Sequence, residues 1–176
     1  MPRKFLIALA FAATPLHAQT MDQMDHAHAA QCAQSVALPP ELKGWTQPVS
    51  IDAASNAKGL AAAEISIGQA ARANLQNTPE ISYIARPEKP GGSVSHGGLF
   101  RFTVKEAGTY RVALGSGAWI DVLEGKSAIQ STAHVHGPEC SGIRKMVDFP
   151  LKPGRHVLQI AANGDATLPL MIIRVP

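Results

Sequence analysis

From Glu80 onwards, apolar and polar positions alternate along the chain. "LFRFTV" sets Phe100, Phe102 and Val104 on one face and Arg101 and Thr103 on the other. "EAGTYRVAL" reads as a turn and then a strand, with Tyr110, Val112 and Leu114 on one side and Arg111 opposite. In "SGAWIDVLEG", Trp119, Asp121 and Leu123 face away from Ile120 and Val122. "ISYIA", "KSAIQSTA", "IRKMVDFPL", "KPGRHVLQIAA" and "LPLMIIRV" repeat the pattern. A period of two belongs to strands, because successive side chains leave a strand on opposite faces. Gly/Pro turns separate these runs, most densely in "RPEKPGGSVSHGG". No helix-period segment follows residue 80 to serve as a crossover between parallel strands. The pattern predicts an all-β, antiparallel sandwich. Its expected core includes Phe100, Phe102, Val104, Tyr110, Val112, Leu114, Val157, Leu158, Ile160, Met171 and Ile173.

Upstream the pattern is weaker. Within "DAASNAKGLAAAEISIGQAARANL" the alternation at Ile65 and Ile67 suggests a strand over Ala63–Ile67. Gly68 and the polar run to Asn77 fit a connection or a short strand. Trp45, set among turn residues in "ELKGWTQPVS", reads as an anchor at the domain edge. Residues 19–38 are polar and alanine-rich at first, and read as a flexible arm. Residues 39–176 then form a single β-sandwich domain.

The first 18 residues change the compartment. Arg3 and Lys4 precede an apolar stretch from Phe5 to Leu16, and Leu16-His17-Ala18 offers a small-residue cleavage site. This is the order of a signal peptide cleaved after Ala18. It predicts a periplasmic or secreted protein. No later segment is long and apolar enough for a transmembrane helix. Losing Arg3 and Lys4 from 16 basic residues against 13 acidic ones brings the formal net charge from +3 to about +1. Without a basic stripe and interleaved aromatics, nucleic acid is not an expected partner. In an oxidising compartment the two cysteines, Cys32 and Cys140, are expected to pair.

Candidate chemistry concentrates in "TAHVHGPEC". His134 and His136 stand at i and i+2, which on a strand places both imidazoles on one face and lets them share a metal. His96 in "SVSHGG" is a candidate third ligand if the two loops share one end of the sandwich, and Glu139 offers a carboxylate. The ion would be zinc, copper or iron, with a position left open. In the arm, Met21, Met24, His26 and His28 form a candidate secondary site for copper or zinc. The competing reading of both sets is solvated loop and tail residues. Asp121, beside Trp119, fits a solvated strand face better than an inward catalytic carboxylate. No nucleophile elbow or phosphate-cradling glycine loop is present.

"FTVKEAGTYRVALGSGAWIDVLEG … MVDFPLKPGRHVLQI" resembles pre-peptidase C-terminal-type jelly-roll modules, with a Gly-Thr-Tyr turn at Gly108 and a Pro-Gly-Arg turn at Gly154. That resemblance implies a jelly-roll-like fold over roughly the last half of the chain, and no activity. The chain is also similar to short exported bacterial proteins labelled homogentisate 1,2-dioxygenase. This implies a non-haem iron enzyme acting on an aromatic diol; the residues that their own chemistry would offer such an enzyme are His96, His134, His136 and Glu139. The favoured expectation is a non-catalytic, exported accessory protein that binds a metal ion or small ligand at a histidine-bearing loop end. The rivals are the dioxygenase-like enzyme and an interaction module for a larger exported protein partner.

Overall fold

The structure is a computed structural model that describes Cys32 and residues 36–176. Eleven strands lie within the unit Ser35–Pro176. They are β1 (Val49–Asp52), β2 (Ala70–Asn74), β3 (Gln76–Asn77), β4 (His96–Val104), β5 (Gly108–Leu114) and β6 (Trp119–Glu124). There follow β7 (Ser127–Ala128), β8 (Ala133–Val135), β9 (Lys145–Leu151), β10 (Gly154–Asn163) and β11 (Thr167–Arg174). One sheet has the order β1-β2-β11-β5-β9-β8 and the other β3-β4-β10-β6-β7. The fold is an all-β sandwich, as the alternation requires.

The chain changes sheets between β2 and β3, β4 and β5, β5 and β6, β7 and β8, β9 and β10, and β10 and β11. Each inward face therefore meets strands that are neighbours in sequence but lie across the sandwich. Phe100, Phe102, Val104, Tyr110, Val112, Leu114, Leu158 and Ile160 are buried between the sheets, with Leu168, Leu170 and Ile172. Val157 is only half-buried. Among the named strands every pairing is antiparallel except β1 with β2, which run parallel. Residues 53–69 make that crossover possible without a long helix. They leave β1, bridge to β4 at Ala54–Leu99 and Glu64–Arg101, and return to β2.

Met171 and Ile173 are buried, but on the other face of β11. There they join Leu42, Ala70, Ala113, Ile143 and Met146 in a second apolar cluster outside the six-stranded sheet. The continuous run "LMII" is the reason: β11 is central, covered on both faces, and so loses clean alternation. A 3-10 helix over Pro40–Thr46 covers the outer cluster with Leu42 and Trp45. Trp45 Nε1 donates to the Ser141 carbonyl at 3.0 Å, so Trp45 does anchor the edge of the domain.

Three expected strands are corrected. Ala63–Ile67 is an irregular crossing with a single bridge residue, Glu64. Its regular neighbour is β2, in the polar run after Gly68. "ISYIA" is not a strand either: its amides find partners outside a ladder. Ser82 N donates to Ser55 O, and Ile84 N and Ala85 N donate to the Gln159 side chain. Satisfying backbone donors by a side chain frees a segment from sheet geometry. "KSAIQSTA" yields only the two residues of β7 before turning. Finally, "SHGG" is not a loop end. His96, Gly97 and Gly98 open β4.

Candidate functional site

The histidine cluster expected from sequence is distributed over both sheets. His134 lies exposed on β8, in the six-stranded sheet, and its Nε2 is 2.8 Å from Ser131 Oγ. His136 follows β8, also exposed. Its Nδ1 donates to the Arg144 carbonyl at 3.1 Å, which leaves Nε2 as the lone-pair nitrogen. His96 is in the other sheet, paired with Asn77 and Asn163. Glu139 is exposed in the turn before Cys140. Among the described residues, no group of three or more His, Cys, Asp or Glu side chains is arranged to hold a metal ion. Met21, Met24, His26 and His28 lie outside the described residues, as do the expected leader and its cleavage site. Neither cysteine is free: Cys32 and Cys140 are disulfide-bonded, and they are the two cysteines of the chain.

Two other places gather chemistry. The first is a pocket of about 470 Å³ beside the β4–β5 turn. Ile67 and Tyr110 supply its apolar surface. The Tyr110 hydroxyl is already used, donating to the Glu106 carbonyl at 2.9 Å across the turn, so the ring is fixed. Arg174, at the end of β11, pairs with Glu106 at 2.7 Å and donates to the Ala107 carbonyl at 3.3 Å. Lys105 and the hydroxyls of Ser66 and Thr103 complete the wall. With Glu106 taken up by Arg174, the uncompensated charge of the wall is the Lys105 ammonium. Pockets of this size and mixed lining suit small ligands.

The second place is the outer side of β6, where Asp121 is not on an open solvated face but half-buried. Trp119 Nε1 donates to Asp121 Oδ1 at 2.9 Å, and Gln159 Nε2 approaches Oδ2 at 3.5 Å. Burial pushes the Asp121 carboxyl above its ordinary value. The two hydrogen bonds pull the other way, Glu88 adds to the rise, and Lys145 offsets part of it. Lys145, the first residue of β9, donates from Nζ to the Ala118 carbonyl at 2.8 Å. Its ammonium sits 5.8 Å from the Trp119 ring centroid and that of Lys89 sits 5.4 Å from it. Burial lowers the Lys145 pKa, Lys89 lowers it further, and Asp121 opposes both.

Gln159 organises this face. It is fully buried and accepts from Ile84 N at 2.8 Å and Ala85 N at 3.2 Å, while donating to Ala85 O at 3.0 Å. Tyr83 donates to the Ile160 carbonyl at 3.1 Å. Burial, reinforced by the Asp121 charge, pushes the Tyr83 phenol up to about 12. Segment 81–90 is thus laid across the five-stranded sheet, and Lys89 is carried to Trp119.

Sequence reasoning singled out Asp121 and Trp119 but missed Lys89, Lys145 and Gln159. A polar residue within the apolar run "HVLQIAA" was the available sign of Gln159. The lysines come from segments 56 positions apart in the chain, and no local pattern pairs them.

No family model matches the chain, and no curated protein matches it. Among solved structures, the pre-peptidase C-terminal domain of a collagenase from Bacillus anthracis is similar. The identity is 13% and the TM-score 0.36, over 71% of this chain and 95% of that one. The sandwich itself rests on the strand order and registers above.

Proposed function

We propose that this protein is an exported, non-catalytic β-sandwich that binds a small, hydroxylated carboxylate in the pocket beside the β4–β5 turn. One observation carries the reading. An ammonium without a counter-charge in the wall, Lys105, stands with the hydroxyls of Ser66 and Thr103 around the fixed ring of Tyr110. The amine suits a carboxylate, the hydroxyls suit ligand hydroxyls, and the half-buried Ile67 suits the apolar face of a sugar-like skeleton. The disulfide supports an oxidising compartment. This pocket lies at the strand ends opposite the histidine loop.

Titration with a hexuronate, followed by amide chemical shifts, tests it. Shifts should concentrate at Ser66, Thr103, Lys105 and Tyr110. Lys105→Met should weaken binding by roughly tenfold or more, since a hydrogen bond to a charged group contributes about 1.5–3 kcal/mol. No localised shifts at millimolar ligand would refute the reading.

A further inference from the structure

The Trp119 face has a composition that ligand binding at the other pocket does not explain. Two ammonium groups, Lys89 and Lys145, are held within 6 Å of one indole centroid. They arrive on different elements, segment 81–90 and β9, by unrelated contacts. Lys145 is tied to the Ala118 carbonyl, and segment 81–90 is pinned by Gln159. A carboxyl, Asp121, is hydrogen-bonded to the edge of the same indole. Lys89 disfavours the charge on Lys145 and Asp121 offsets part of that, so an amine, a second cation and a carboxyl meet on one aromatic face.

We propose that Lys145 is a carbonyl-capture site that condenses with small α-keto acids to form an imine. The keto acid's carboxylate pairs with the Lys89 ammonium, and its planar body lies against Trp119. The keto carbon is then presented to Lys145 Nζ. The neutral amine attacks that carbon, a C–N bond forms, and the carbonyl π pair moves to oxygen. Asp121 relays the protons: twice it gives one to that oxygen and twice it recovers one from nitrogen. The nitrogen surrenders two protons in all, the oxygen leaves as water, and a C=N bond remains. No oxidant or reductant is consumed.

The surroundings favour each partner's required state. The groups facing Lys145 are Trp119 and Asp121 from β6, Lys89 from segment 81–90, and the Ala118 carbonyl, while Glu88 acts on Asp121. Burial and Lys89 favour the neutral, nucleophilic amine. Burial and Glu88 favour the protonated Asp121. Both shifts act in the direction that the condensation needs.

The test uses the full disulfide-bonded chain with pyruvate and cyanoborohydride at neutral pH, followed by peptide mass spectrometry. The reduced imine adds one carboxyethyl group to the modified lysine. Lys145 should be labelled ahead of the exposed Lys58 and Lys126 in the folded protein, and level with them after denaturation. Asp121→Asn, which keeps an acceptor for Trp119, should slow labelling severalfold. Lys89→Met should slow labelling by pyruvate more than by propanal, which lacks the carboxylate. Labels spread evenly over exposed lysines in the folded chain, or an unlabelled Lys145, would overturn the site. Equal slowing of both probes in Lys89→Met would overturn its assignment to keto acids.

Discussion

Arg111 and Asp148 face each other across β5 and β9 in a two-pronged ion pair, Nε to Oδ1 at 2.6 Å and the second prong to Oδ2 at 2.8 Å. Asp148 keeps only 8% of its side chain exposed and Arg111 21%. The pair closes the outer face of the six-stranded sheet beside the cluster under Trp45, and it raises the Arg111 pKa.

Breaking that pair should be costly because a nearly buried charge is left alone. Arg111→Met, which leaves Asp148 unpaired, is expected to lose about 3–5 kcal/mol of stability. Arg111→Met with Asp148→Leu should recover much of it. Urea denaturation of the two single variants and the double variant measures the coupling.

Gln159→Leu fits the β10 position in volume but strands Ile84 N, Ala85 N and Ala85 O. A loss of about 2–4 kcal/mol is expected, since each unsatisfied buried group costs about 1–3 kcal/mol and some regain water. Hydrogen exchange should accelerate at the Ile84 and Ala85 amides while those of β11 stay protected. Unchanged exchange in segment 81–90 would mean that other contacts hold it.

Two groups set the pH response of the same face. The Asp121 carboxyl titrates at 3.8 when unfolded and higher when folded. The folded state therefore holds its proton longer, and stability falls as pH rises from 3.8 through the folded value. Asp121→Asn should abolish that fall. The Tyr83 phenol titrates at 10.0 unfolded and about 12 folded, so stability should drop again between those values. Tyr83→Phe should flatten the alkaline drop at the expense of about 1 kcal/mol for the bond to Ile160. Denaturation midpoints across pH show both.

The Cys32–Cys140 disulfide closes a loop of more than a hundred residues, for which chain entropy predicts about 4–5 kcal/mol. Thiol titration of denatured, unreduced protein should find no free thiol. Reduction should lower the denaturation midpoint, and a midpoint insensitive to reductant would show that the loop closure contributes nothing.

What the sequence determined by itself is the sandwich. Period-two runs such as "LFRFTV" and "TYRVAL" hide one face each, and that requirement fixes strands and their inward residues without knowledge of neighbours. Trp45 was legible for a similar reason, as a large ring among turn residues that had to be covered. Tertiary structure decided which face a doubly covered strand gives to which core, and so Met171 and Ile173 lie outside the sheet rather than between the layers. It also decided that "ISYIA" is a pinned crossing, because Gln159 supplies partners that a ladder would otherwise provide. His96 and the His134/His136 pair both stood near glycines, yet His96 and His134 went to different sheets once β4 took up "SHGG". Lys89, Lys145 and Asp121 met only through the packing of a crossing segment on β6 and the approach of β9. Spacing along a strand is a local property, whereas the meeting of side chains from distant segments depends on sheet order and register, which no short stretch encodes.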